Sequence, residues 1–265
     1  MPPKLTINYI VAENAAALAA RAAQHFVEIA EQAVAARGRA RIAISGGSTP
    51  KATFQLLGDP AQPWRARMPW NRLEIFWVDE RCVPPDHPDS NYRMTREAML
   101  DCVPLGPEQI HRMEGELDPE EGAARYESGL RNLFRLEGAE VPAFDLIQLG
   151  MGADGHTASL FPHSAALDEF GRLAVANHVQ NKDAWRITLT WPVINHARSV
   201  FFLVGGAAKA EIVHEVFLGV HDPERLPSQL IRPASGILTL ILDRAAAALL
   251  PATDAEGRGK IERTE

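Results

Sequence analysis

The stretch FDLIQLGMGADGHTASLFP, residues 144–162, decides the fold that the sequence predicts. Its first part, FDLIQL, has the length and apolar content of a buried strand. Three glycines then follow within six residues, and Asp154 and His156 stand on either side of the third one. A polar turn with two proton-exchanging groups after a buried strand is where an open α/β sheet usually places its chemistry. We expect residues 157–161 to begin a helix that Pro162 ends.

The glycines of this turn also satisfy G-x-G-x-x-G, the dinucleotide-binding pattern, directly after a predicted strand. That pattern requires a second strand ending in Asp or Glu about 20 residues later. Here Asp168 and Glu169 come too early and flank no apolar run. The sequence therefore argues against a nicotinamide or flavin enzyme, and we expect no cofactor.

Outward from this stretch, short apolar strands alternate with helical segments along the chain. We expect strands at 5–11, 41–45, 73–78, 110–113, 173–176, 186–190, 199–204 and 237–242, and helices at 14–37, 51–57, 91–102, 119–136, 191–197, 209–218 and 245–250. This alternation predicts an α/β fold with a single doubly wound, mostly parallel, Rossmann-like sheet and helices on both faces. We expect a turn at 233–236, one domain over residues 1–250, and a disordered polar tail over 251–265.

The composition is that of a globular protein without a basic face. Of its 265 residues, 46% are hydrophobic and 23% are charged, and the net charge of −7 argues against nucleic-acid binding. Cys82 and Cys102 give neither a disulfide framework nor a CxxC pattern, which is typical of a reducing compartment. The first ten residues lack the apolar core of a signal peptide, and no apolar run is long enough to span a membrane. We therefore expect a cytoplasmic protein with no membrane or nucleic-acid partner.

A loop rich in backbone donors follows the predicted strand at 41–45 and precedes a helix. It consists of Gly46, Gly47, Ser48 and Thr49. Glycines let backbone N–H groups converge on an anion, and the helix dipole adds a favourable potential. A tight turn with an ordinary helix cap has the same composition, so both interpretations remain open at this point.

Charged residues also stand at the ends of two other predicted strands. Asp79 and Arg81 follow the strand at 73–78, and Lys209 follows the strand at 199–204. If the strands are parallel, these groups share one sheet edge with the glycine loop; the alternative is that they are simply solvated. The nine histidines form no H-x-H or H-x-x-x-H pair, so we expect no metal site. No G-x-S-x-G elbow supports a serine nucleophile.

Several motifs together resemble those of the 6-phosphogluconolactonases. They are SGGSTP at 45–50, VDER at 78–81, SNYRM at 90–94, LGMGADGHTASLFP at 149–162, TLTWPVINHARSVFFLVGGAAKA at 188–210 and RPASGILTLILDRAAAALL at 232–250. The resemblance covers nearly the whole chain. The related glucosamine-6-phosphate deaminases carry a catalytic glutamate five residues after the histidine and a tyrosine after the Asp-Glu pair. This chain has Phe161 and Arg81 at those positions, which favours the lactonase.

The resemblance implies a carboxylic ester hydrolase of the oxidative pentose phosphate pathway. Its reaction is hydrolysis of 6-phospho-D-glucono-1,5-lactone to 6-phospho-D-gluconate. Histidine titrates near neutral pH, so His156 is the candidate general base on water. Asp154 or Asp79 is the candidate carboxylate that orients the imidazole, and the sequence does not distinguish the two.

The resemblance also implies a phosphate site where residues 46–49 meet Arg81 and Lys209. Asn91 and Arg186 are further candidates for substrate binding, with a structural role equally open for each. The expected partner is a small phosphorylated sugar lactone, and the expected assembly is a monomer or weak homo-oligomer. Two other functions remain open: a deaminase-like sugar-phosphate isomerase and a non-catalytic sugar-phosphate sensor.

Overall fold

Two sheets organise the computed structural model, which describes residues 5–180, 183–233 and 237–263. The described residues form eleven strands: β1 Leu5–Ala12, β2 Ala40–Ile44, β3 Leu73–Trp77, β4 Asp79–Arg81, β5 Ile110–His111, β6 Leu146–Leu149, β7 Ala174–Val179, β8 Ala184–Leu189, β9 Ser199–Val204, β10 Ile237–Asp243 and β11 Arg258–Arg263. The large sheet has the order β11-β1-β10-β9-β6-β2-β3-β5. All of its neighbouring strands are parallel except β11, which runs antiparallel to β1.

The helices cover both faces of the large sheet. They are α1 Ala15–Arg37, α2 Ser48–Gly58, α3 Pro63–Arg67, α4 Asn91–Ala98, α5 Pro119–Phe134, α6 Trp191–Asn195 and α7 Ala210–Leu218. In β9, Phe201 packs on Phe26 of α1 with ring centroids 5.3 Å apart, and Phe202 packs on Phe217 of α7 at 5.5 Å. Because successive side chains of a strand point to opposite faces, α1 and α7 lie on opposite sides of the sheet. The predicted α/β fold is confirmed.

The winding of the chain reverses between β2 and β6, which are neighbours in the sheet. From β2 the chain proceeds to β3 and β5 on one side, and then returns to β6, β9 and β10 on the other. In open α/β sheets, ligands bind at the carboxyl ends of the strands beside such a reversal. The loops that follow β2 and β6 are the glycine loop 46–49 and the His156 turn, so the fold brings the two together.

A second, three-stranded antiparallel sheet lies beyond the end of β3, where the sequence predicted a single sheet. Its order is β4-β8-β7, and it pairs Asp79 with Thr188 and Arg81 with Arg186. The chain reaches this sheet through Val78, whose carbonyl accepts a hydrogen bond from the Leu189 N–H at 2.8 Å. Three successive charged residues gave β4 the appearance of a solvated loop, although Glu80 is only 2% exposed.

The C-terminal region also differs from the prediction. Residues 258–263, expected to be disordered, form β11 on the edge of β1, and Ile261 is buried there. Gly259 lies against the ring of Tyr9, where any side chain would overlap it. Residues 244–249 form turns, so the helix expected at 245–250 is wrong. The single-domain organisation stays a prediction, with its C-terminal bound moved beyond residue 250.

Two remaining expectations concern the turn at 233–236 and membrane-spanning segments. Most of the turn expected at 233–236 lies outside the described residues, as do residues 264 and 265. In the part of the chain that the structure describes, no helix is long and apolar enough to cross a membrane.

A buried carboxylate joins α5 to the small sheet. Glu127 accepts hydrogen bonds from Arg172 Nε at 2.6 Å, from Arg131 Nε at 3.0 Å and from the Leu173 N–H at 3.3 Å. Burial, the largest single effect, favours the neutral acid. The two arginines outweigh it, and the pKa of Glu127 is lower than usual.

We expect Glu127→Gln to lower the free energy of unfolding by about 1–3 kcal/mol at pH 7, since it leaves Arg172 without a charged partner. A depressed folded-state pKa stabilises above the unfolded-state pKa, so the difference between variant and wild type shrinks as pH falls below about 4. Urea denaturation followed by circular dichroism, at pH 7 and below about pH 4, measures the free energy of unfolding of variant and wild type. Glu137→Gln, an exposed control, changes the free energy little. A Glu127→Gln loss that is independent of pH contradicts the ion-pair account.

Candidate active site

A cavity of about 260 Å³ opens where the winding reverses, at the carboxyl ends of β2, β6 and β9. It brings together most of the residues that the sequence singled out. Those that line it are Gly46, Gly47, Ser48, Thr49, Asp79, Arg81, Asn91, His156 and Lys209. Two predicted residues, Asp154 and Arg186, do not line the cavity. Asp154 contacts His156, and Arg186 pairs with Arg81 in the small sheet.

The glycine loop leads directly into the N-terminus of α2. Gly47 is the N-cap residue, with φ +116°, and no side chain caps the first turn of the helix. The loop lines the cavity, so the helix dipole and free N–H groups act on the same space. Gly46 lies against Asn91, and a side chain at this position would overlap the Asn91 amide. Gly46 is therefore required for close approach, and Gly47 for its left-handed backbone.

The His156 turn is irregular, and the helix predicted at 157–161 is wrong. Ala158 adopts left-handed backbone, with φ +48°, and Thr157 and Leu160 form an isolated antiparallel bridge. The Gly152 N–H donates to the carbonyl of His156 at 2.8 Å, which closes the loop on itself. A non-glycine residue in this conformation is strained, and such strain is concentrated at functional sites.

Asp154, and not Asp79, is the carboxylate beside the imidazole. Asp154 Oδ1 lies 2.5 Å from His156 Nδ1. Because an ionised carboxylate only accepts, the proton of the neutral imidazole resides on Nδ1, and Nε2 keeps its lone pair. The ring of Phe161 stacks on the imidazole with centroids 4.1 Å apart and an interplanar angle of 25°. The histidine is thus held at one nitrogen and on one face.

The carboxyl group of Asp154 is ionised over the whole range in which histidine titrates. Partial burial, the largest single effect, opposes the charge. The hydrogen bond and charge of His156, together with backbone N–H groups, outweigh it and hold the pKa of Asp154 at about 2. The 2.5 Å contact is therefore an interaction of the imidazole with a permanent negative charge.

Asp79 accepts hydrogen bonds from two segments that border the cavity. Its Oδ2 accepts from Ser159 Oγ at 2.7 Å, and its backbone carbonyl accepts from Asn91 Nδ2 at 2.9 Å. Ser159 belongs to the His156 turn, and Asn91 begins α4. Asp79 therefore connects the small sheet to both segments.

Two cationic side chains border the cavity. Arg81 Nη1 donates to the carbonyl of Asp89, and Lys209 Nζ donates to the carbonyl of Met151 at 2.8 Å. Burial lowers the pKa of Lys209, and the nearby charge of Asp154 partly offsets that effect. Both cations stand on elements different from the glycine loop, so three loops converge on one space.

Arg186 faces a neighbouring cleft rather than the cavity. It lines that cleft together with Arg81, its partner across the small sheet. Its Nε is buried and has no hydrogen-bond partner among the described residues. Burial, followed by the charge of Arg81, lowers the pKa of Arg186. Its assignment to substrate binding stays a prediction.

Three functional positions escaped the sequence analysis because each looked like an ordinary structural residue. Glu80 is buried and accepts from the N–H groups of Arg81, Asn91 and Tyr92 and from the Ser90 hydroxyl, which holds α4 against β4. This burial raises the pKa of Glu80 in spite of those donors. Ser45 lines the cavity, and its hydroxyl oxygen accepts a hydrogen bond from Gln148. A glutamine inside the apolar run LIQL was the available signal, since a buried amide requires partners.

Within the described residues, no group of three or more His, Cys, Asp or Glu side chains is arranged to hold a metal ion.

Comparison with known proteins places the chain among enzymes of phosphorylated sugars. Residues 13–240 match the family model described as glucosamine-6-phosphate isomerases/6-phosphogluconolactonases. The chain is 46% identical to a 6-phosphogluconolactonase of Synechocystis sp., over 83% of this chain and 89% of that protein. It is 44% identical to a 6-phosphogluconolactonase of Nostoc sp., over 88% and 94%.

A solved structure of 6-phosphogluconolactonase from Trypanosoma cruzi superimposes with a TM-score of 0.80 at 32% identity, covering 95% of this chain and 99% of that one. The family model and these similarities all extend over most of the chain. The protein belongs to the glucosamine-6-phosphate isomerase/6-phosphogluconolactonase family.

Proposed function

We propose that this protein is a 6-phosphogluconolactonase, which hydrolyses 6-phospho-D-glucono-1,5-lactone to 6-phospho-D-gluconate. The observation that carries the proposal is the His156–Asp154 pair, 2.5 Å apart, in a cavity shared with the N-terminus of α2. The names of the Synechocystis and Nostoc relatives support the same substrate. A base and an anion-binding loop in one cavity are what a phosphorylated ester requires.

In this proposal His156 acts as the general base. Its Nε2 takes a proton from water as the water oxygen attacks the C1 carbonyl of the lactone. The tetrahedral intermediate then collapses, the bond from C1 to the ring oxygen breaks, and the imidazolium returns the proton to that oxygen. Asp154 stabilises the imidazolium in between, since it is ionised throughout.

The phosphate of the substrate binds between the glycine loop, Arg81 and Lys209. Backbone N–H groups at the α2 N-terminus supply directional donors, and the two side chains supply positive charge. Asn91, held against Gly46 by its bond to the carbonyl of Asp79, shapes the adjoining wall. Arg186 lines the neighbouring cleft and not the cavity, so we expect its contribution to be the smaller one.

Phe161 argues against the deaminase-like alternative. The sequence places it where the related deaminases carry a catalytic glutamate, and its ring stacks on His156. A phenyl ring transfers no proton, so ring opening and isomerisation of an amino sugar lack their acid at this position. The sensor alternative leaves the ionised Asp154 beside His156 without a role.

The direct test is hydrolysis of 6-phosphogluconolactone generated in situ from glucose 6-phosphate, measured above the spontaneous rate. We expect catalysis with this lactone and much weaker catalysis with unphosphorylated gluconolactone. Absence of hydrolysis together with tight sugar-phosphate binding indicates the sensor. Release of ammonia from glucosamine 6-phosphate indicates the deaminase.

We expect His156→Gln to lower kcat by about 10²–10⁴-fold, the usual contribution of a general base, while KM changes little. Steady-state kinetics with the in situ lactone measures both constants. His163→Gln is the matched control, because His163 lies on the same segment but is exposed and paired with Glu224. Wild-type turnover by His156→Gln removes this histidine from the mechanism.

We expect Arg81→Gln and Lys209→Met each to lower kcat/KM for the phosphorylated lactone by about 10–100-fold, mainly through KM, as expected for loss of a charged hydrogen bond. Hydrolysis of unphosphorylated gluconolactone should be nearly unaffected. Arg125→Gln, an exposed arginine paired with Glu114, serves as the charge-matched control. A variant that loses activity equally on both lactones acts on something other than phosphate.

A further inference from the structure

Ser45 and Gln148 form a buried hydrogen-bonded pair at the reversal of winding. Ser45 follows β2, and Gln148 lies in β6, where its side chain is fully buried. The Ser45 N–H donates to Gln148 Oε1 at 3.0 Å, and Gln148 Nε2 donates to Ser45 Oγ at 2.7 Å. The pair thus joins the two strands whose loops border the cavity.

The two bonds fix the direction in which the serine hydroxyl donates. A backbone N–H can only donate, so the amide oxygen of Gln148 must face it and the amide nitrogen must face Ser45 Oγ. The amide nitrogen is a donor only, and Ser45 Oγ therefore accepts from it. The single hydroxyl proton of Ser45 has to be directed towards a different acceptor.

The described residues offer that proton no acceptor. Among the described residues, Ser45 Oγ makes one hydrogen bond, which it accepts from Gln148 Nε2. The Ser45 side chain lines the cavity together with the glycine loop and Gly150. A cavity-lining hydroxyl that has no acceptor among the described residues is available to donate to a ligand bound in that cavity.

We propose that Ser45 donates a hydrogen bond to a phosphate oxygen of the bound sugar phosphate, and that Gln148 is the positioning residue that fixes the hydroxyl as a donor. This rests on the proposed function, whose phosphate site begins at the next residue, Gly46. Phosphate oxygens of the bound ester are acceptors, whereas a sugar hydroxyl can donate or accept. The Ser45 hydroxyl can donate to either group, and the neighbouring backbone donors of the loop, which converge on an anion, favour the phosphate.

The first experiment measures binding rather than turnover, with 6-phosphogluconate and inorganic phosphate as calorimetric probes. We expect Ser45→Ala to weaken both probes about tenfold or more, the loss typical of a hydrogen bond to a charged acceptor. Ser45→Thr keeps the hydroxyl and should bind within about threefold of wild type. If folded Ser45→Ala binds both probes as tightly as wild type, the proposal is wrong. Should Ser45→Ala not fold, Ser45→Cys, which keeps the bulk with a weak donor, replaces it.

The second experiment tests Gln148 through a double-mutant cycle. At a pH high enough to ionise the buried carboxyl group of Gln148→Glu, that group accepts from both the Ser45 N–H and the Ser45 hydroxyl, which turns the hydroxyl proton away from the cavity. Its negative charge repels phosphate with or without Ser45, but the reversed hydroxyl matters only where Ser45 is present. We expect Gln148→Glu to weaken phosphate binding at least fivefold more in the wild-type background than in Ser45→Ala. Equal effects in the two backgrounds overturn the positioning role.

The two proposals fail separately. A protein that binds both probes through Ser45 but hydrolyses no lactone retains this inference and loses the lactonase assignment. A lactonase whose phosphate affinity is insensitive to Ser45→Ala retains its function and loses this inference.

Discussion

Everything proposed for this protein depends on the parallel alignment of β2, β6 and β9. Parallel strands end at the same edge of a sheet, so the loops that follow them meet in space although they are far apart in the chain. The reversal of winding between β2 and β6 leaves a gap there that no connecting helix covers. Within that gap lie the α2 N-terminus, the His156 turn and Lys209. The strand order of the sheet therefore determines which loops meet at the site.

Burial separates the carboxylates around the site into two kinds. Asp79 and Glu80 are 7% and 2% exposed, and every contact they make is with backbone N–H groups or with side chains of the protein. Asp154 is 39% exposed and contacts the one imidazole in the cavity. Glu80 accepts from four donors of the protein, and the Asp79 carboxylate accepts from two. Their contacts hold loops and α4 in place, whereas Asp154 contacts His156. The sequence singled out Asp79 and Asp154 without distinguishing their roles, and it did not single out Glu80.

The sequence predicted what depends on periodicity and missed what depends on tertiary contacts. The strands of the large sheet other than β11, and the long helices α1 and α5, follow the apolar pattern, because burial against the sheet is what that pattern encodes. β4 was missed because its charges are satisfied by partners remote in sequence, such as Asn91. Residues 157–161 have helical composition, but Ala158 is held in left-handed backbone by the bridge between its neighbours. The tail became β11 because an edge strand with free hydrogen-bonding groups was available to it.

Within the site, the charged residues were identified from the sequence, whereas the hydrogen-bonded pair of Ser45 and Gln148 was missed. Charged residues at strand ends are conspicuous, whereas Ser45 and Gln148 differ from their neighbours only in having polar atoms inside a core. Burying that pair costs desolvation, which both hydrogen bonds between them offset only in part, since one hydroxyl proton is left over. An apolar pair would pack at this position without that cost. Ser45 lines the cavity, so under the proposal a ligand oxygen that accepts the remaining hydroxyl proton offsets part of this cost.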